Sequence, residues 1–137
     1  MAVVSAFTII VDDAPVTIGD GLKKWKQTFN IGGHNTNYPA LLILNVRGLT
    51  YATTSVPVKI NDVDVGYIHP YGGLTDAAKN DVAKYWYTQM IAVSGSQLNN
   101  GNNTIEIEAV GYPGFTDTDE YDDFSLKDMV CFFHKTV

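Results

Sequence analysis

Gln97–Val110 reads Q-L-N-N-G-N-N-T-I-E-I-E-A-V. Leu98 leads into a polar turn, Asn99-Asn100-Gly101-Asn102-Asn103, and from Thr104 the pattern alternates. Ile105, Ile107 and Ala109 fall on one side, Thr104, Glu106 and Glu108 on the other. A period of two with one apolar face predicts a strand packed on a core and open to water outside. Gly101 accepts a positive φ and the asparagines tolerate turn geometry.

The same reading extends outward along the chain. Val3 to Val11 is a strand candidate closed by Asp12-Asp13-Ala14-Pro15, and Gly19-Asp20-Gly21 is a turn. Leu22 to Ile31 carries both periods; the strand spacing of Trp25, Gln27 and Phe29 is preferred, with room for a short turn of helix. Ala40 to Val46 is a short apolar run between turn signals, which predicts a central strand. Val56 to Ile68 is a hairpin turning at Asn61-Asp62, with Pro57 at an edge or among its strand's first residues. Thr75-Asp76 is a candidate start for one short helix, and Thr88 to Val93 is another strand. In the last strand, Phe124 and Leu126 hold one phase and Met129, Cys131 and Phe133 the other, so a bulge or bend is expected near Lys127-Asp128. Seven to nine short strands and almost no helix predict an all-β fold, a two-sheet β-sandwich or jelly roll, with a barrel as the alternative. Residues 1–137 read as a single domain.

Composition narrows the partners. Lys and Arg total 9 against 15 Asp and Glu, a formal net charge of −6. Nucleic acid needs a basic footprint, and anionic membranes repel this balance, so neither is an expected partner. No apolar run reaches the ~18 residues of a spanning helix, so membrane insertion is not expected. Met1 to Val11 lacks a basic start and is broken by Ser5 and Thr8, so it reads as strand and not signal peptide. Cys131 is the single cysteine, set among Val130, Phe132 and Phe133, and reads as a buried thiol. No G-x-S-x-G, H-E-x-x-H or Walker pattern occurs, which favours a non-catalytic role.

Several motifs resemble those of galactose-binding-like jelly rolls, the β-sandwiches of many carbohydrate-binding modules and accessory domains. They are V-K-I-N-D-V-D-V-G-Y-I (Val58 to Ile68), the strand after Trp86, L-N-N-G-N-N-T-I-E-I (Leu98 to Ile107) and D-D-F-S-L-K-D (Asp122 to Asp128). The resemblance covers roughly residues 56 to 134, and Asp62 stands where the hairpin usually has glycine. It implies a sandwich that binds sugars, binds proteins or braces a neighbouring domain. It also implies a possible structural calcium near the first loops and final strand, to which Asp12, Asp13, Asp20 and Asp128 would contribute.

Aromatic rings take the flat apolar faces of sugars while amides and carboxylates take the hydroxyls. Tyr85 and Tyr87, and the loop residues Tyr71 and Tyr112, are candidate platforms. Asn35, Asn37, Asp119 and Asp122 are candidate hydroxyl partners. Ordinary packing competes for each: Trp25 and Trp86 read as core, and Tyr38 as a loop residue. Asp117, Asp119, Glu120, Asp122 and Asp123 are either hard oxygen ligands for calcium or a solvated acidic loop. His34, His69 and His134 lack zinc-ligand spacing and read as surface or loop histidines. Asn102-Asn103-Thr104 matches a glycosylation acceptor, or is simply a turn. The expectation is a lectin-like, carbohydrate-binding module, in which oligomerisation would add avidity. The alternative is a structural or assembly β-sandwich subunit of a homo-oligomer or particle.

Overall fold

The computed structural model describes residues 2–49, 55–70, 85–111, 121 and 123–137. The elements in chain order are β1 (Val3–Val11), β2 (Val16–Ile18), β3 (Lys24–Asn30), β4 (Ala40–Arg47), β5 (Val56–Ile60), β6 (Val63–Ile68), β7 (Tyr87–Val93), β8 (Asn102–Glu108) and β9 (Phe124–Thr136). Among the described residues the only helical piece is a single 3₁₀ turn, Gly95–Gln97. The short helix expected at Thr75 falls outside the described residues.

The strands form two antiparallel sheets. Sheet A runs β1-β9-β4-β7, with β2 also paired to β9; sheet B runs β3-β8-β5-β6. They face each other as a sandwich of jelly-roll type, over a core that includes Ile18, Leu42, Leu44, Val58, Ile68, Ile105, Ile107 and Phe124. The Gln97–Val110 alternation supplies Ile105 and Ile107 to that core, both fully buried. Leu22 to Ile31 resolves as strand β3, with Trp25 and Phe29 buried, and no helical turn forms there.

Strand β9 carries the expected phase slip. Ile43 pairs with Val130 but Asn45 pairs with Lys127, so β9 advances three residues where β4 advances two. The extra residue is at Asp128, whose φ is 50° and whose N–H donates to Asp12 O at 2.8 Å. A bulge there turns two opposite phases inward, so Phe124 and Leu126 are buried together with Met129, Cys131 and Phe133. At the β5–β6 hairpin both Asn61 and Asp62 take positive φ, 53° and 67°, as a two-residue turn matched to strand twist requires. Pro57 is second in β5, an interior strand, so the edge placement is corrected and the alternative, among the first residues, holds.

A buried asparagine ties this hairpin to the turn before β8. Asn103 is 1% exposed. Its Oδ1 accepts from Asn99 N–H at 2.7 Å and Asn61 Nδ2 at 2.8 Å; its Nδ2 donates to Asn99 O at 3.0 Å and Gly101 O at 3.2 Å. Asn61 in turn exchanges bonds with Thr104, accepting its N–H on Oδ1 at 3.0 Å and donating its own N–H to Thr104 O at 2.9 Å.

Candidate functional site

The two outer faces of the sandwich differ in kind. On sheet B the cross-strand row is Lys26, Glu106, Lys59 and Asp64. Glu106 holds Lys24 at 3.6 Å and Lys26 at 3.5 Å. That is a solvated charged surface. On sheet A one row is Phe7, Phe132, Leu41 and Ala92, and the next is Ile9, Val130, Ile43 and Met90. Alternation places all eight on the outside of the sheet, where they are exposed or half-buried. Phe7 and Phe132 rings lie 5.9 Å apart. Leu41, Ile43, Ala92, Phe132 and His134 line an open groove of about 540 Å³.

The loop from 32 to 39 borders one end of this face. His34, read as a surface or loop histidine, is a loop residue but a buried one: its Nε2 donates to Gly95 O at 3.0 Å, because a carbonyl can only accept. Its ring meets Phe133 edge-on. The local cause is Gly95, buried where any Cβ would run into the backbone carbonyls of Thr36 and Tyr38. Asn35 is committed to the loop. Its Nδ2 donates to Thr136 Oγ1 at 3.1 Å, its Oδ1 accepts Asn37 N–H at 3.0 Å, and its N–H donates to His134 O at 2.9 Å. Asn37 is exposed. Tyr38 stacks on His134, centroids 5.0 Å apart and 24° between planes.

The opposite end of the face is aromatic and polar. Trp86, read as core, is instead half-buried beyond the end of β7. The Arg47 guanidinium carbon sits 4.6 Å from its ring centroid and Lys127 Nζ 4.5 Å. Both distances are within cation–π range. The β9 bulge places Lys127 opposite Asn45, whose neighbours in the sheet are Thr88 and Lys127. Thr88 Oγ1 donates to Asn45 Oδ1 at 2.7 Å and Asn45 Nδ2 donates to Asp128 at 3.2 Å. Tyr85 is exposed beside this cluster in the chain. Tyr87 is half-buried and packs on the core, its hydroxyl donating to His69 O at 2.8 Å, so it braces the chain after β6.

Asn35 and Asn37 therefore lie at the Ala40 end of β4, and Tyr85 and Tyr87 at its Arg47 end. About 20 Å of strand separates them at ~3.3 Å per residue, so they do not form one site. Tyr71, Tyr112, Asp119 and Asp122 lie outside the described residues. The residues that do converge on Trp86, namely Arg47, Lys127, Asn45 and Thr88, were not singled out in the sequence. Their signal is the outward phase of β4 and β7, legible only once the bulge fixes the register. Among the described residues no group of three or more His, Cys, Asp or Glu converges. Asp12 and Asp20 accept backbone N–H groups, from Ala14 at 2.9 Å and Tyr121 at 2.9 Å.

No protein-family profile matches the chain, and no curated protein matches it in sequence. Solved structures do match in shape. A family 35 carbohydrate-binding module from Clostridium thermocellum has a TM-score of 0.53 at 13% identity, covering 93% of this chain and 98% of the module. The sandwich is the fold of that module. BuGH86wt, solved in complex with neoagarooctaose, matches at TM-score 0.52 and 20% identity over 98% of this chain. The ANX2 ectodomain from Arabidopsis thaliana matches at 0.51 and 12% identity over 90% of it. The chain spans nearly all of the binding module, but 19% of BuGH86wt and 33% of the ectodomain. At such identities the likeness concerns the fold alone.

Proposed function

We propose that this chain is a non-catalytic carbohydrate-binding module whose site is the Trp86 end of sheet A. The observation that carries the reading is the half-exposed Trp86 ring with Arg47 and Lys127 over it and the Asn45–Thr88 pair alongside. A sugar offers an apolar C–H face and a rim of hydroxyls, and binds where an aromatic plane meets several directed polar groups. Arg47 and Lys127 supply only donors. Thr88, which spends its proton on Asn45, keeps its oxygen as an acceptor. A pyranose stacking on Trp86 moves a cation from the ring face to the sugar's edge, where it donates to hydroxyl oxygens.

The match to a complete carbohydrate-binding module supports this reading at the level of the fold. The assembly reading competes for the apolar half of the same face and not for Trp86. A glycan array followed by calorimetry on the best ligands, with and without calcium, is the test. Binding to at least one polysaccharide class is expected. No binding in either condition sinks the proposal.

A further inference from the structure

We propose that two copies of this chain pair face to face through the apolar outer surface of sheet A. The inference goes beyond sugar recognition and does not depend on it. The surface is strongly apolar: Phe7 is 61% exposed, Ile9 58%, Met90 66% and Phe132 41%. These residues are not scattered. They occupy two adjacent cross-strand rows spanning all four long strands of the sheet. A contiguous apolar patch of several hundred square ångströms is often an interaction site.

Charge favours a second copy as the occupant. At a net charge of −6, two copies repel wherever carboxylates meet. The two rows contain no carboxylate, whereas the outer face of sheet B displays Glu106, Glu108 and Asp64. The apolar face is thus a broad surface on which this chain can meet itself without opposing like charges. Shape agrees. Phe7 on β1 and Met90 on β7 stand on the outer strands of the sheet, with the groove floored by Leu41 and Ile43 between them. A two-fold pairing sets the projecting side chains of one copy against the groove of the other, as an isologous contact requires.

The area suffices for a weak dimer. At ~200 Å² of surface for a side chain of this size, the four exposed residues present roughly 450 Å² per copy. Two copies bury about 900 Å² from these alone, and the half-buried Leu41 and Ile43 carry the total towards the ~1,000 Å² of a biological interface. Trp86 is four residues from Met90, about 13 Å along the chain direction. Each dimer would then hold two separate sugar sites and gain avidity on a repeating polymer.

Sedimentation velocity from about 1 to 300 μM tests the pairing, since an interface near the lower size limit is expected to dissociate within that range. A reversible monomer–dimer equilibrium is expected, tighter in 0.5 M salt because screening weakens the repulsion between copies. Met90→Glu and Phe7→Lys change charge in opposite directions, yet both should weaken pairing at least tenfold. Both sites are exposed, so thermal unfolding of the dilute protein reports whether the variants still fold. Thr28→Gln, a charge-neutral change on the other sheet, should leave the equilibrium alone. A monomer at every concentration overturns the proposal. So does a dimer that survives both sheet A substitutions, including one formed through another surface.

Discussion

Asn103→Ala removes one side chain and four hydrogen bonds from the junction between the β5–β6 hairpin and the turn before β8. A neutral hydrogen bond contributes about 1 kcal/mol net, and a buried group left without a partner costs about 1–3 kcal/mol. Four bonds therefore set an upper value near 4 kcal/mol. Two circumstances reduce it. Asn61 Nδ2 keeps Gln97 O at 3.2 Å, and Asn99 is exposed, so water reaches its freed amide and carbonyl. The expected loss is about 2–3 kcal/mol, a large share of the ~5–15 kcal/mol that holds a domain folded. Urea denaturation followed by fluorescence should show the midpoint falling by about 1 M at an unchanged slope. Asn103→Asp separates chemistry from shape. It preserves the acceptor facing Asn99 N–H but turns a second carboxylate oxygen towards the carbonyls of Asn99 and Gly101. That repulsion raises the introduced group's folded pKa above its unfolded value. The variant's deficit should therefore be largest at neutral pH and shrink as pH falls and the carboxyl takes up a proton. An Asn103→Ala loss below about 0.5 kcal/mol, together with a pH-independent Asn103→Asp, would refute the reasoning.

Further outcomes follow from other close contacts. Gly95→Ala sets a methyl group against backbone carbonyls of Thr36 and Tyr38 that have no flexible tip to yield. It should cost about 2–3 kcal/mol, as overpacking does, and speed hydrogen exchange in the 32–39 loop while leaving β3 and β8 protected. Burial pushes the Cys131 thiol from 9.0 up to about 11, so native protein should resist thiol reagents at pH 8 and react at the unfolded rate only in denaturant. Because the folded pKa is the higher one, the folded state holds the proton longer. Stability contributed by this group is intact below pH 9 and falls between pH 9 and 11, by roughly 2–3 kcal/mol, and Cys131→Ala should lack that decline in alkaline unfolding curves.

The sandwich was legible because alternation survives wherever one strand face is buried. Ile105 and Ile107, the Asn61-Asp62 turn and the phase slip beside Asp128 each announce their structure in local residue order. The outer face of sheet A was not legible for the same physical reason. In β1, V-V-S-A-F-T-I-I-V is apolar in both phases, so its period cannot show that Phe7 and Ile9 point away from the core. Trp86 misled because size and hydrophobicity argue for burial, whereas Arg47 and Lys127 reach it from strands distant in sequence. His34 is the loop residue its neighbours announce, but its burial was not legible, since it depends on Gly95, sixty-one residues later. Asn35 was found as a polar loop residue, but its bonds to Thr136 and Asn37 fix a loop and belong to structure before recognition.

The carbohydrate reading stands or falls on Trp86. Calorimetric titration of the polysaccharide that binds best should give a saturable isotherm with the native chain. Trp86→Ala should weaken binding at least tenfold, a loss of about 1.4 kcal/mol or more, without moving the thermal midpoint by more than a few degrees. Equal affinity in the native and Trp86→Ala proteins would contradict the account.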